Sequence, residues 1–193
     1  MIKPKLINTL IVGLLAVFLF YSYTHTTFTK STHRGAAILY NYAVKAEYGQ
    51  EIKVARVIDG DTIELINGDR LRYIGIDTPE EVDPRKPVQC FAQEAAEANK
   101  VLVEGKPIVF YKDVSERDKY GRWLGLVYLS DGTFVNRTLV QQGLAFAYPY
   151  KPDISHASEF QQAESQARQA HLGLWSACTV HRTSGGREQT NDL

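Results

Sequence analysis

Apolar and polar residues alternate through Thr62-Ile63-Glu64-Leu65, the period of a strand with one buried face. Asn67-Gly68 follows, a pair that tolerates the positive φ of a tight reversal, so residues 61–66 and 70–76 are predicted to pair antiparallel. Residues 51–57 supply a strand before that hairpin. Phe91, Ala95, Ala98 and Leu102 recur at helical spacing within a helix predicted over 88–104, which Gly105 and Pro107 end. Further strands are predicted over 107–112 and 122–129, the second almost wholly apolar and therefore central. Asn136 is expected to cap a short helix that stops at Gly143. Ser155 or Ser158 is expected to cap the last helix, with Phe160, Ala163, Ala167 and Ala170 as its buried stripe. Leu174-Trp175 then plugs the core, and the polar residues 179–193 read as a disordered tail.

The N-terminus has a different pattern. Lys3 and Lys5 precede an uncharged run over 6–23, long enough as a helix to span about 27 Å and so to approach the hydrocarbon thickness of a bilayer. An uncleaved transmembrane anchor is the favoured reading, because no small-x-small site follows promptly; a cleaved signal peptide is the alternative. Residues 24–50, rich in Ser, Thr, Tyr and His, read as a linker with a short helical piece over 36–46. The expected organisation is a basic N-terminus (1–5), the anchor (6–23), the linker, a domain over 51–178 and the tail.

Formal net charge is zero across 193 residues. The first fifty residues carry five basic and one acidic side chain, leaving 17 basic against 21 acidic in the remainder. A mildly acidic domain excludes a broad electrostatic grip on nucleic acid, so any such contact is expected to be local. Cys90 and Cys178 are the only cysteines. In an exported domain an even count reads as one disulfide, with two unrelated thiols as the alternative; a bridge would place the domain outside the cytoplasm. The histidines lack paired ligand spacing and are not assigned to metal.

The predicted hairpin also carries chemistry. Pairing brings Asp61, at the start of its first strand, near Asp77, at the end of its second. Two carboxylates at one end of a hairpin repel unless a positive charge lies between them. A hard divalent cation suits that position, with the Thr78 carbonyl as a further oxygen; ordinary turn chemistry is the competing explanation of Asp59-Gly60-Asp61. Arg72 shares strand parity with Ile74 and Ile76, so its charge is expected to leave a partly apolar face and to need a carboxylate or phosphate. Glu80 lies within reach as its partner, a metal-shell group or a general base. Arg85 and Lys86 sit in the adjacent proline-bearing loop, as phosphate contacts or as solvated charges.

Val57-Ile58-Asp59-Gly60-Asp61-Thr62 and the run from Arg72 through Gly75-Ile76-Asp77-Thr78-Pro79-Glu80 closely resemble the staphylococcal nuclease (thermonuclease) family. So do Asp118-Lys119-Tyr120-Gly121-Arg122, Leu139-Val140-Gln141-Gln142-Gly143-Leu144-Ala145, Tyr150-Lys151-Pro152 and Leu174-Trp175-Ser176. The resemblance runs over about 51–176 with its motifs in order. It implies an α+β, mainly β fold: a five-stranded Greek-key barrel (OB-fold) with three helices. It also implies a Ca²⁺-dependent endonuclease that cuts DNA and RNA with little sequence specificity and leaves 3′-phosphate ends. Asp61, Asp77 and Thr78 would hold Ca²⁺, Arg72 and Arg122 would clamp the phosphate, and Glu80 would activate water. Lys119 and Tyr120 would seat a terminal phosphate. Tyr148 and Tyr150, which from the residues alone could equally cover the core edge, would contact the nucleotide; Pro149 between them departs from the family pattern. The expected protein acts as a monomer. The alternative is a catalytically silent nucleic-acid- or protein-binding module on a membrane anchor; the presence of both arginines and all three carboxylates counts against it.

Overall fold

The computed structural model describes residues 45–81 and 87–193. The expected anchor over 6–23, most of the linker and the loop positions Arg85 and Lys86 lie outside these residues. Among the described residues no helix is long and apolar enough to cross a membrane.

Five strands close a barrel: β1 (Glu51–Asp59), β2 (Thr62–Leu65), β3 (Arg70–Tyr73), β5 (Pro107–Tyr111) and β6 (Trp123–Leu129), in the order β1-β2-β3-β6-β5. β2 and β3 form the predicted antiparallel hairpin, with Thr62 opposite Arg72. β6 lies between β3, which it pairs in parallel, and β5, which it pairs antiparallel. Its apolar sequence follows from that central place. Ile52, Val54, Ile63, Leu65, Leu71, Tyr73, Ile108, Phe110 and Val127 fill the core. Three helices pack outside, α1 (Ala92–Val103), α2 (Val135–Gln141) and α3 (Ala157–Gln169), followed by a single turn, α4 (Leu174–Ala177). A mixed α+β fold with a closed five-stranded barrel is thus as expected.

The details depart in several places. Residues 46–50 belong to the domain and not to a linker: Ala46 is buried, and Tyr48 packs on Phe110 and Trp123 while its hydroxyl donates to the Glu116 carbonyl. Helix α1 starts later than expected, because Phe91 adopts φ +70° ahead of it. Its most buried stripe is Ala92, Ala95, Asn99 and Val103, with Ala98 and Leu102 alongside. Neither Ser155 nor Ser158 caps α3, whose N-cap is His156, and Ala170 is exposed. Leu174 is the buried plug; Trp175 is only half-buried, with Phe146 at its edge and the Arg168 guanidinium over its ring.

The tail is structured. β8 (Val180–Arg182) and β9 (Glu188–Thr190) form a hairpin. Its end is held to the body by bonds from the Cys90 amide to Asn191 and from the Leu193 amide to Val88. Composition suggested disorder, but the buried Thr190, whose hydroxyl donates to the Cys90 carbonyl, ties the segment down.

Two short elements bring the second half of the site to the barrel. β4 (Ile76–Asp77) pairs with β7 (Phe146–Ala147). Between β3 and β4 the chain turns at Gly75, φ +77°, where a Cβ would lie 2.5 Å from the Phe160 ring. Only glycine fits that turn.

Asn136 does not cap α2, whose N-cap is Phe134. Fully buried, it accepts from the Val127 amide and donates to the carbonyls of Ile74 and Gly125. It therefore ties the Gly75 turn to the central strand. Asn136→Ala strands these groups away from water and is expected to cost about 3 kcal/mol or more; urea unfolding measures it, and a loss under about 1 kcal/mol would contradict the role.

Candidate active site

The site begins at the Asp59-Gly60-Asp61 turn joining β1 to β2. Asp59 accepts from the Asp61 amide at 3.0 Å, an Asx-type turn. Gly60 lets that turn press on Thr78, whose hydroxyl would lie 2.6 Å from a Cβ there. Asp61 is 1% exposed. One carboxylate oxygen accepts from the Thr78 amide at 3.1 Å; the other accepts from Arg72 Nη1 at 2.5 Å and from the Thr62 hydroxyl at 3.2 Å. Arg72 Nη2 donates to Asp77 at 2.9 Å. One guanidinium thus forks across two buried carboxylates, a geometry that only arginine supplies.

Strand parity gave Arg72 the wrong face. Leu71 and Tyr73 point into the barrel, and β3 ends before Ile74 and Ile76, which are buried through the Gly75 turn and not in line with Arg72. Arg72 leaves the barrel's outer side toward Asp61 and Asp77.

Three carboxylates, Asp59, Asp61 and Asp77, crowd together here. Burial, then the neighbouring Asp61 carboxylate, push Asp59 up to about 7. The same two causes raise Asp77 above the usual carboxylate range, while Arg187 and Arg72 pull it back. Convergent carboxylate and carbonyl oxygens are the donor set a hard divalent cation takes. Among the described residues no group of three or more His, Cys, Asp or Glu side chains is arranged for a metal. A cation on Asp61 and Asp77 therefore needs the Thr78 carbonyl, water and ligand oxygens, and the residues present fit such a shared shell.

Glu80 follows three residues after Asp77. Its backbone is clamped at both ends by the buried Gln89: its amide donates to Gln89 Oε1 at 2.8 Å, and its carbonyl accepts from the Gln89 amide at 3.0 Å. Gln89 adjoins Cys90, which is joined to Cys178 by a disulfide.

A cleft of about 400 Å³ opens beside the arginine fork, lined by Arg72, Arg122, Lys119, Tyr120, Tyr148 and Tyr150 among others. Arg122 Nε donates to Asp118 at 2.7 Å. The other Asp118 oxygen accepts from the amides of Tyr120 and Arg122, which folds the loop. Burial alone would raise the Asp118 carboxyl, but these bonds outweigh it and hold it below its ordinary value. Lys119 and Arg122 flank the Tyr120 ring at 5.0 and 5.6 Å. Tyr148 and Tyr150 stack at 6.4 Å along another wall. Asp153, accepting from the amides of Val114 and Ser115, fastens that wall to the loop opposite.

Apart from Glu80, whose backbone is held by Gln89, the site residues singled out in the sequence fall into two adjoining groups: the buried knot of Asp61, Arg72 and Asp77 against Thr78, and the cleft in front of it. Two arginines were missed. Arg117 lines the cleft with its guanidinium 3.9 Å from the Trp123 ring. Arg187, from the C-terminal hairpin, donates from Nε to Asp77 at 2.5 Å and lies 5.6 Å from the Tyr148 ring. The signal for it was Gly185-Gly186, a turn pair between two short polar stretches.

The chain matches the family model described as staphylococcal nuclease homologue over residues 70–177. It is similar to the thermonuclease of Staphylococcus hyicus, 40% identical over 131 residues covering 66% of this chain and 76% of that protein. It is similar to endonuclease YncB of Bacillus subtilis (strain 168), 42% identical over 130 residues covering 65% of this chain and 61% of that one. The SPbeta prophage-derived endonuclease YokF of the same organism is 40% identical over 131 residues, 65% of this chain but only 44% of YokF. The match thus spans less than two thirds of either Bacillus protein.

The two arginines should behave differently on removal. Arg72→Ala leaves the buried Asp61 carboxylate without its cationic partner, while Asp77 keeps Arg187, and is expected to cost about 3–5 kcal/mol without divalent ions. Arg122→Ala breaks a partly exposed pair and is expected to cost about 1 kcal/mol or less. Denaturant unfolding in chelator measures both, and equal losses would contradict the division into buried knot and open cleft.

Proposed function

The chain belongs to the staphylococcal nuclease family, and on that premise we propose that it is a Ca²⁺-dependent endonuclease acting on DNA and RNA with little sequence specificity. The observation that carries the reading is the Arg72 fork across Asp61 and Asp77 at the head of a cleft that also holds Arg122. Asp61, Asp77 and the Thr78 carbonyl would hold the cation. When bound, it would offset phosphate charge and polarise the phosphorus–oxygen bonds.

The chain's own groups do the rest. Arg72 and Arg122 bind the scissile phosphate and stabilise the charge that builds on its oxygens as a fifth bond forms. Glu80 takes a proton from the attacking water. The new bond joins the water oxygen to phosphorus; the bond to the 5′ oxygen breaks, and that oxygen takes a proton from solvent. The products are a 3′-phosphate and a 5′-hydroxyl. Lys119 and Tyr120 seat a terminal phosphate, and Tyr148 and Tyr150 offer ring faces for bases, a sequence-tolerant contact. The mildly acidic domain suits this local grip, which releases products readily because few phosphates are held.

The Cys90–Cys178 disulfide supports a location outside the cytoplasm. We assign residues 6–23 as the anchor that keeps the domain at the membrane; if that segment is cleaved, the domain is secreted.

Hydrolysis of single-stranded DNA and of RNA by the full chain in detergent tests the proposal. Cutting should require Ca²⁺, stop in chelator and leave 3′-phosphates. Glu80→Gln should lower the rate on the order of 10²–10⁴-fold, and Arg122→Lys on the order of 10²–10³-fold. A folded, disulfide-bonded protein that cuts neither substrate with any divalent ion is a binding module and not this enzyme.

A further inference from the structure

The family match stops at residue 177, and the C-terminal hairpin begins just past it. Its base is fixed in three ways: by the Cys90–Cys178 bridge two residues before β8, by backbone bonds from Cys90 to Asn191 and from Leu193 to Val88, and by an ion pair of 2.9 Å between Arg168 and Glu188. Its tip is a tight turn, in which the Thr183 amide bonds the Arg187 carbonyl at 2.8 Å and the Gly186 amide bonds the Thr183 carbonyl at 2.9 Å. Such a hairpin projects one side chain to a fixed place. That side chain is Arg187.

Arg187 takes two positions that the proposed reaction needs. Its guanidinium donates from Nε and Nη2 to the Asp77 oxygen that Arg72 leaves open. It also lies over the face of Tyr148, where a base would stack. With Arg187 seated, both Asp77 oxygens are committed to arginines. A cation on Asp77 must displace it, and a nucleotide on Tyr148 must do the same.

We propose that this hairpin is an autoinhibitory strap: Arg187 holds the cation seat while the site is empty, and divalent-cation binding and strap docking exclude each other. The proposal rests on the cation reading given above. Two ligands that exclude each other weaken one another by the same factor. Ca²⁺ should therefore loosen Arg187 to the extent that Arg187 weakens Ca²⁺. Substrate assists the release, since it supplies oxygens to the cation and a base to Tyr148. A membrane-tethered or secreted nuclease would then stay closed until cation and nucleic acid arrive together.

Two readouts on the full chain in detergent test the strap without using activity. Calorimetric titration with Ca²⁺ should show Arg187→Ala binding on the order of tenfold tighter than the unsubstituted protein. Arg182→Ala, which removes an equal charge from the exposed stem at a side chain 73% accessible, should leave the affinity unchanged. In parallel, the Arg187 Nε–H resonance, identified by its absence in Arg187→Ala, should be present in chelator and lost as Ca²⁺ saturates the site. Equal affinity for Arg187→Ala and the unsubstituted chain, or an Nε–H signal that persists with Ca²⁺ bound, overturns the strap but leaves the cation site standing. Absence of Ca²⁺ binding in both proteins overturns the cation reading and the strap with it.

Discussion

Everything at this site depends on one guanidinium between two buried carboxylates. Asp61 and Asp77 are nearly inaccessible to water, and bringing two such charges together in a low dielectric is costly unless they are neutralised. Arg72 does so for Asp61 and, together with Arg187, for Asp77, and its two bonds fix both carboxylates relative to β3. The Thr78 amide adds a further fixed donor. The result is a preorganised cradle of paired charges, and Arg72 also lines the cleft.

The barrel makes that arrangement possible. β2 and β3 carry Asp61 and Arg72 on the same hairpin, in register through the Thr62–Arg72 pair. Asp77 reaches them only because the chain reverses at Gly75 and pairs with β7, and Asn136 holds that reversal against β6. Arg122 arrives from the other neighbour of β3, at the start of β6, on a loop whose shape Asp118 dictates. The positions of the site's charges are therefore set largely by strand pairing.

Much of this was legible in the residues, because the hairpin is local. Alternation through 62–65 and the Asn67-Gly68 turn place Asp61, Arg72 and Asp77 within one short stretch, and the repulsion between the two aspartates calls for a positive charge. What the residues could not supply was the breaking of strand parity at Gly75, since a turn just past the end of so short a strand leaves no periodic signal. Asn136 looked like a cap because its role lies in contacts with Ile74 and Gly125, distant in the chain. The C-terminal hairpin was hidden for the same reason: its three-residue strands are too short to show a period, and its anchor is Cys90, roughly a hundred positions earlier. Arg187 therefore read as a tail charge although it pairs with Asp77.

The most direct test of the account is a crystal structure of Glu80→Gln with Ca²⁺ and a short single-stranded DNA. Ca²⁺ is expected on Asp61, Asp77 and the Thr78 carbonyl, sharing an oxygen of a phosphate that Arg72 and Arg122 also bind. A cation seated elsewhere, or a phosphate in the cleft that touches neither arginine, would contradict it.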